Sequence, residues 1–316
     1  MFTVGIDIGG TKISGVLLDS QDQILATEKA PTPAQDSEGI RRTVVEMVQQ
    51  LSSGREVLGV GVAAAGFIDA SRSEVIYSPN LSWRNEPLKA SLEKELGLPV
   101  VIENDANAAG WAEYRFGAGR KVKNMVMITI GTGVGGAIVA DGKLYRGGFG
   151  IGAELGHMCF VPDGLPCGCG QFGCLEQYAS GTALLRKAKA LAKSEDQAGS
   201  YLRGLVDDAD LLTGEKVYQA IRNSDPGTLA LVHEIATDLG KALASIAAIL
   251  DPEIVVIGGG VSVLGDTILD PIMQSFRKNL PASGFRPELK IVSAELVNEA
   301  GAVGAADLAR DLIPQR

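Results

Sequence analysis

The sequence predicts an α/β fold in two domains separated by a cleft. Its 316 residues are about twice the length of a common single domain. Short apolar runs alternate with stretches in which apolar residues recur at helical spacing, and this alternation restarts in the second half of the chain. Three glycine-rich turns follow strand-like runs, at the positions where open α/β sheets bind ligands.

The first half of the chain begins with a predicted meander of three strands. These strands and two further buried ones are predicted at residues 4–8, 13–18, 24–28, 57–63 and 99–102. Ile40, Val44 and Val48 recur at helical spacing, so an amphipathic helix is predicted over residues 38–52. Two more helices complete this half, one beginning at Pro87 and one over residues 106–116.

The second half repeats this organisation. Strands are predicted at residues 125–130, 137–140 and 254–257, and helices at residues 183–193 and 229–250. Pro252 ends the longer helix. Residues 194–215 form the most polar and least regular segment, and we expect a surface excursion there.

The composition excludes several classes of partner. Lysine and arginine number 29 against 38 acidic residues, which gives a formal net charge of −9. This acidity argues against a nucleic-acid groove and against an anionic membrane surface. No apolar run reaches the ~18–20 residues of a membrane-spanning helix, and the N-terminus lacks the basic region of a signal peptide. We therefore expect a cytoplasmic protein with no nucleic-acid and no membrane partner.

The first glycine turn is a candidate phosphate-binding hairpin. Asp7 precedes Gly9, Gly10, Thr11 and Lys12. Backbone N–H groups of such a turn can point at a phosphate, and the Asp7 carboxylate can hold a hydrated Mg²⁺. The spacing is not that of a Walker A loop, since a strand pattern follows where that loop opens a helix. An ordinary hairpin remains the alternative.

The other two glycine turns extend this interpretation to a nucleotide. Residues 131–136 satisfy the G-x-G-x-x-G pattern of dinucleotide sites. That pattern must open a helix, whereas residues 137–140 read as a strand, so a second phosphate hairpin is predicted instead. Residues 258–260 end a buried strand, and backbone without side chains there can lie against a flat adenine.

A histidine and three cysteines form a candidate metal site. His157 is followed by Cys167, Cys169 and Cys174, which together supply one imidazole and three thiolates. This is a closed tetrahedral set of the kind that structural zinc uses. Free buried thiols or a redox pair are the alternatives, although Cys-x-Cys is cramped for a disulfide. The fourth cysteine, Cys159, follows an alternating pattern and is expected to lie in the core.

Three acidic residues are candidates for chemistry. Asp105 stands where a buried strand gives way to a helix, so it could act at the mouth of a cleft or merely cap the helix, as aspartate commonly does. Glu154 and Glu176 flank the histidine and cysteine cluster. They are placed to hold hydroxyl groups in fixed directions, and the alternative is that they solvate or support the loop.

Eight segments spread over the whole chain carry a resemblance to a known family. They are DIGGTK (7–12), GVGVAAAGFID (59–69), SPNLSW (78–83), ENDANAA (103–109), GTGVGGAIV (131–139), GAELGHM (152–158), CGCGQFGCLEQYASG (167–181) and IVVIGGGVS (254–262). Together they resemble the ROK family of sugar kinases, within the actin-like, ribonuclease-H-like ATPases, and most closely its actinobacterial glucokinases.

The resemblance implies an actin-like fold of two α/β domains with a central cleft. The smaller domain would comprise residues 1–118 together with a C-terminal helix at about residues 302–316. The larger domain, residues 119–301, would carry the zinc loop. ATP, catalytic Mg²⁺ and structural Zn²⁺ are implied as cofactors, and a homodimer or homotetramer as the assembly.

The resemblance also implies roles for individual residues, with Asp105 as the catalytic base. The implied sugar ligands are Gly66, Asn80, Asn104, Asp105, Glu154, His157 and Glu176. The implied nucleotide-binding residues are Asp7, Gly9, Gly10, Thr11, Lys12, Thr132, Gly133, Gly259 and Gly260. The implied zinc ligands are His157, Cys167, Cys169 and Cys174, with His157 facing the sugar through its other ring nitrogen.

The implied activity is transfer of the ATP γ-phosphoryl group to the 6-hydroxyl of glucose. Mannose, fructose, allose and N-acetylated hexosamines are alternative acceptors, and polyphosphate is an alternative donor. The family also contains sugar-responsive repressors with a DNA-binding helix-turn-helix before the first phosphate motif. Here that motif begins at Asp7, so a repressor or non-catalytic sugar sensor is the remote alternative, as is an actin-like filament or chaperone ATPase.

Overall fold

The structure is a computed structural model that describes residues 2–296 and 299–312. The chain divides into two compact units. The first comprises Met1–Met127, Gly136–Glu154 and Ala294–Arg316, and the second Ile128–Gly135 and Leu155–Ser293. The domain limits expected from the sequence stay a prediction, and residues 313–316 of its C-terminal helix lie outside the described residues.

The first eight strands belong to the first unit. They are β1 (Phe2–Ile8), β2 (Lys12–Leu18), β3 (Ile24–Pro31), β4 (Val57–Ala64), β5 (Phe67–Ile68), β6 (Val75–Tyr77), β7 (Arg84–Glu86) and β8 (Val100–Asn104). A five-stranded sheet has the order β3-β2-β1-β4-β8, and β5, β6 and β7 form a small sheet of their own. The predicted meander is confirmed, because β2 pairs antiparallel with both β1 and β3. Strands β1, β4 and β8 run parallel, so their carboxyl ends share one edge.

Three helices accompany these strands: α1 (Ser37–Leu51), α2 (Leu88–Leu96) and α3 (Asp105–Arg115). The Asp36 side chain caps α1 by accepting a hydrogen bond from the Gly39 N–H at 2.9 Å. Pro87 stands at the N-cap of α2 and not at its first helical position, one residue from the expected start. Val44, Leu92 and strand residues of β1 and β4 share one buried cluster, which fixes the helices on the sheet.

The remaining strands are β9 (Met125–Ile130), β10 (Val134–Ala140), β11 (Lys143–Leu144), β12 (Ile254–Gly258) and β13 (Lys290–Ser293). They form a second sheet in the order β11-β10-β9-β12-β13, and the limits of the two units pass through β9 and β10. Strand β10 begins within the second glycine motif, at Val134, and no helix opens there, so the rejection of a dinucleotide fingerprint is confirmed.

The second unit contributes six helices among the described residues: α4 (Glu176–Ala179), α5 (Gly181–Lys193), α6 (Ser200–Gly204), α7 (Gly214–Arg222), α8 (Pro226–Leu250) and α9 (Asp266–Asn279). Asp225 caps α8 through its Oδ2, which accepts the Thr228 N–H at 2.8 Å. The expectation of an irregular excursion at residues 194–215 was partly wrong. That segment contains α6 and two short 3₁₀ turns, because Asp196 and Asp208 supply local caps.

The last helix, α10 (Ala300–Leu308), returns the chain to the first unit and is buried along its whole length. A Cβ added to Gly5 would lie 1.8 Å from the Ala302 carbonyl oxygen, and one added to Gly61 would lie 1.8 Å from that of Ala305. The two glycines therefore let the helix backbone approach the sheet closely. In the part of the chain that the structure describes, no helix is long and apolar enough to cross a bilayer.

Candidate active site

The first glycine turn joins β1 to β2 as a tight hairpin. The Gly9 N–H donates to the Lys12 carbonyl at 3.0 Å, and the Thr32 hydroxyl donates to the Gly9 carbonyl at 2.7 Å. A Cβ added to Gly10 would lie 3.4 Å from the Cβ of Asn80, so Asn80 stands beside the turn. Thr11 and Lys12 are exposed, which leaves their polar groups accessible to a ligand.

Two partly buried carboxyl groups lie at the carboxyl edge of the first sheet. Asp7 stands near the end of β1, and Asp105 follows directly after β8. Burial, which has the largest effect, and the Asp105 carboxylate together raise the pKa of Asp7 to about 7, against the opposing effect of Lys12. Burial also raises the pKa of Asp105, against a hydrogen bond from the Ala106 N–H. Two carboxyl groups that repel each other in a dry setting suit a bound divalent cation, so these residues fit Mg²⁺.

The structure separates the two possible roles of the segment that opens α3. Asn104 is the N-cap, because its Oδ1 accepts the Asn107 N–H at 3.0 Å. Its Nδ2 donates to the Gly66 carbonyl at 3.0 Å. Asp105 Oδ1 accepts the neighbouring Ala106 N–H at 2.9 Å, and the Asp105 carboxyl accepts no bond from the N–H groups deeper in the first turn that the structure describes. Capping α3 therefore falls to Asn104, and the Asp105 carboxyl is available for another role.

Gly66 is held in a conformation that suits glycine. Its φ is 151°, and an added Cβ would lie 2.6 Å from the Tyr77 carbonyl oxygen. Its carbonyl accepts a hydrogen bond from the Asn104 amide and so sets the direction of that side chain.

Glu154, the last residue of the segment Gly136–Glu154, is partly buried.

His157, Cys167, Cys169 and Cys174 converge in the second unit. All four potential ligand atoms lie within 4.8 Å of one another. Cys167 Sγ is 3.6 Å from His157 Nδ1, and Cys169 Sγ is 3.6 Å from Cys174 Sγ. Ligands at zinc bond lengths form a tetrahedron with edges of roughly 3.5–3.8 Å, so the donor set fits Zn²⁺. His157 Nδ1 faces the cluster, which leaves Nε2 for another partner.

The Cys174 thiol is hard to ionise without a nearby cation. Burial and the neighbouring thiols of Cys169 and Cys167 raise the pKa of Cys174 to about 12. A bound dication offsets this cost, since coordinated cysteines are deprotonated. The expectation for Cys159 was wrong: its side chain is exposed, and residues 158–161 form no strand, only an isolated bridge between Cys159 and Cys174.

Glu176 links the cysteine cluster to the second glycine turn. Its Oε2 accepts the Val134 N–H at 3.0 Å, and its Oε1 lies 3.9 Å from Cys167 Sγ. A Cβ added to Gly133 would stand 2.0 Å from Glu176 Oε2, so this glycine makes room for the carboxylate. The turn itself is closed by a hydrogen bond of 3.0 Å from the Gly131 N–H to the Gly133 carbonyl.

The second and third glycine turns line one cavity of about 500 Å³ in the second unit. Its lining is mainly apolar and includes Gly131, Thr132, Leu184, Tyr218, Gly260 and Val261. Gly259 has a φ of 83°, and an added Cβ would lie 2.5 Å from the Ile130 carbonyl oxygen. The Tyr218 hydroxyl donates to the Gly260 carbonyl at 2.8 Å. A cavity of this size and polarity suits a planar base with its sugar.

Sequence reasoning missed part of this lining. Tyr218 and Val217 come from α7, and Leu184, Leu185 and Thr182 come from α5. These residues follow no short motif, and their apolar spacing is that of ordinary core helices. Hydrogen bonds from the Gly181 N–H to the Gly131 carbonyl and from the Thr182 hydroxyl to the Thr132 carbonyl hold the start of α5 against the second turn, and α7 packs against α5.

Comparisons with known proteins identify the family of this chain. The ROK family model matches residues 3–312. A glucokinase from Streptomyces coelicolor is 46% identical over 313 residues, covering 99% of this chain and 98% of that one. An N-acetylmannosamine kinase from Escherichia fergusonii is 33% identical over 98% of this chain and 99% of that one. The crystal structure of a ROK family glucokinase from Streptomyces griseus, in complex with glucose and AMPPNP, has a TM-score of 0.90 and 47% identity, covering 98% of this chain and 100% of that one. The predicted α/β, actin-like fold class is thereby confirmed, and the chain belongs to the ROK family.

Proposed function

We propose that this protein is an ATP-dependent glucokinase that converts glucose and ATP to glucose 6-phosphate and ADP. The observation that carries the proposal is the partly buried carboxyl group of Asp105, which is not the N-cap of α3. It lies near Asp7, at the edge of a sheet that also carries a glycine turn. Its support from relatives is full-length similarity to glucokinases, one of them described with glucose and AMPPNP.

Asp105 is the proposed general base. A sugar hydroxyl is a poor nucleophile until a carboxylate within hydrogen-bond reach accepts its proton. As the glucose 6-oxygen bonds to the γ-phosphorus, the Asp105 carboxylate takes the hydroxyl proton and the bond to the β-phosphate oxygen breaks. Because Asn104 caps α3, Asp105 can make this transfer without weakening the helix start.

Asn104, Glu154, His157 and Glu176 are the proposed ligands of the sugar hydroxyls, with Gly66, Asn80 and Asp105. A site with fixed polar partners rejects an epimer that leaves those partners unpaired. A hydrogen bond to the Gly66 carbonyl holds the Asn104 side chain, and a hydrogen bond from the Val134 N–H holds the Glu176 carboxylate. Both side chains therefore have a fixed orientation before a ligand binds.

The proposed nucleotide ligands fall into three groups. They are the turn Gly9, Gly10, Thr11 and Lys12 together with Asp7; the turn residues Thr132 and Gly133; and Gly259 and Gly260 beside the cavity that would take adenosine. Phosphoryl transfer depends on positioning and charge neutralisation, which N–H-lined turns provide. Asp7 would hold Mg²⁺, which neutralises phosphate charge when bound.

His157, Cys167, Cys169 and Cys174 would hold a structural Zn²⁺. With four protein ligands the ion has no open position, so it shapes the loop and leaves the proton transfer to Asp105. We further propose a cytoplasmic homodimer or homotetramer, since ATP is the cytoplasmic phosphoryl donor and the family resemblance implies an oligomer.

A coupled assay of ADP release with Mg-ATP tests the proposal. Glucose, mannose, fructose, allose, N-acetylglucosamine and N-acetylmannosamine are compared at equal concentrations, with polyphosphate as a second donor. The largest kcat/KM is expected for glucose with ATP. A larger value for another sugar would refute the glucose assignment, and turnover with polyphosphate alone would refute ATP as the donor.

A further inference from the structure

Glu103 is a buried carboxylate immediately before Asn104, and its side chain is only 1% exposed. Its Oε2 lies 2.8 Å from Arg146 Nε and 3.0 Å from Arg72 Nε. Its Oε1 accepts the Asn104 N–H at 2.9 Å and the Asn107 Nδ2 at 3.1 Å. One carboxylate thus joins the end of β8 and the first turn of α3 to two guanidinium groups.

Arg146 reaches further than this ion pair. Its Nη2 donates to the Asp69 carbonyl at 2.9 Å, and its Nη1 donates to the Ala70 carbonyl at 3.0 Å. A Cβ added to Gly150 would lie 2.6 Å from the Ala70 nitrogen, so the loop after Arg146 lies directly on the same turn. The Gly152 N–H closes that loop on the Arg146 carbonyl at 2.9 Å.

We propose that Arg146 is a positioning residue for the kinase reaction. Through Glu103 it fixes the segment that carries Asn104 and Asp105, and through its own loop it fixes the approach to Glu154. This inference rests on the proposed function, which assigns the base to Asp105 and a sugar contact to Glu154. Arg146 itself touches neither reactant in this scheme.

The chemistry of arginine explains why this residue type is needed. A planar guanidinium can contact a carboxylate and two carbonyl oxygens at once from fixed directions, whereas a lysine ammonium is a single point. Burial of a charge pair is costly compared with apolar packing, so stability alone does not require it. A pair that spans the base segment and the Glu154 loop instead fixes their relative position, which the reaction does require.

The same unit contains a second arginine that contacts a buried carboxylate but lacks this connection. Arg115 Nε lies 3.0 Å from Asp307 Oδ2, and Asp307 is 6% exposed. This pair ties the last turn of α3 to α10, about 15 Å along the helix from Asp105. Arg115→Lys is therefore a control for loss of a guanidinium that contacts a buried carboxylate, without loss of the proposed positioning.

The test compares Arg146→Lys with Arg115→Lys by steady-state kinetics on glucose and Mg-ATP. For Arg146→Lys we expect the glucose KM to rise by roughly tenfold or more and kcat to fall, with the ATP KM within about twofold. For Arg115→Lys all three values should stay within about twofold. Equal kinetics for the two variants, with active wild type, would overturn the positioning role. Wild type inactive on every sugar would overturn the proposed function instead.

A double-variant cycle gives the sharper readout. If Arg146 acts through the Glu154 loop, Arg146→Lys should change the glucose KM much less in a Glu154→Gln background than in the wild type. An equal fold-change in both backgrounds would overturn the claim that Arg146 positions Glu154. Arg72→Lys, which loses one contact with Glu103, is the second variant should Arg146→Lys not fold. A smaller rise in the glucose KM is expected for Arg72→Lys. Unchanged kinetics of this variant would refute the claim that Glu103 and its arginines position the Asn104–Asp105 segment.

Discussion

Replacing Asp7 with asparagine should make the free protein more stable, and increasingly so as the pH rises. Asp7 has its pKa raised from 3.8 to about 7 by burial and by Asp105. The folded state therefore holds a proton that the unfolded chain releases at lower pH. Between pH 4 and pH 7 the ionisation of Asp7 makes folding progressively less favourable, and above pH 7 its contribution to the free energy of folding no longer changes.

The size of the effect follows from the two pKa values. At roughly 1.36 kcal/mol for each pH unit, the difference between 3.8 and about 7 corresponds to about 4 kcal/mol at pH 8.5. At pH 5 the destabilisation by Asp7 is about 2 kcal/mol, because pH 5 lies only part of the way from the unfolded-state pKa to the folded-state pKa. The stability gap between Asp7→Asn and wild type should thus widen by roughly 2–3 kcal/mol over this range.

The assay is urea unfolding of both proteins at pH 5 and pH 8.5 without Mg²⁺ or nucleotide. Any pH-independent effect of the new amide on the free energy of unfolding cancels when the differences between variant and wild type at the two pH values are compared. Mg²⁺ added at pH 8.5 should stabilise the wild type and narrow the gap.

Asp69→Asn is the control: hydrogen bonds from Ser71, Ser73 and Glu74 outweigh burial and lower the pKa of Asp69. Its contribution to stability is complete above pH 4, so its gap should not change between the two pH values. A pH-independent gap for Asp7→Asn would refute the reasoning.

Three further changes have defined outcomes. Gly5→Ala should cost more than about 3 kcal/mol in unfolding experiments, because its Cβ would lie 1.8 Å from the Ala302 carbonyl oxygen. Gly133→Ala should raise the glucose KM in the coupled assay, because the new Cβ would lie 2.0 Å from Glu176 Oε2 and would force that carboxylate to move. Cys169→Ser should lower zinc content, measured by atomic emission, and speed amide exchange over residues 155–176, because one of four converging ligand atoms is lost.

Controls keep these outcomes specific. Gly204→Ala meets no atom within 4 Å and should leave stability unchanged or slightly raised, so equal losses at Gly5 and Gly204 would contradict the close-approach argument. Cys159→Ser should leave zinc content unchanged, since Cys159 is not among the four converging ligands. Full zinc content in Cys169→Ser would contradict the assigned site.

The elements of the fold could be predicted because their patterns are local. The meander of β1, β2 and β3 shows in turn residues between apolar runs, and α8 shows in a long apolar stripe that ends before Pro252. Segment 194–215 was harder, since its short helices depend on side-chain caps and bury few residues. Cys159 alternates like a core residue, yet the loop around the cysteine cluster turns it outward.

The site was predictable only where one segment carries it. The four candidate zinc ligands lie within eighteen consecutive residues, so their spacing alone indicates a metal. Glu103, Arg146 and Arg72 are far apart in the sequence and look like ordinary surface charges until the fold buries them together. The same holds for Tyr218, which lines the cavity where α7 packs on α5 and its hydroxyl bonds to the Gly260 carbonyl.

The central claim is that Asp105 is the base of a glucokinase. Its most direct test measures turnover of glucose by Asp105→Asn with Mg-ATP and, on the same protein, nucleotide affinity by calorimetry. The account predicts a loss of roughly 10²–10⁴-fold in kcat with unchanged nucleotide affinity, the usual contribution of a positioned general base. A loss of less than about tenfold would contradict it and leave Asp105 as a structural residue at the start of α3.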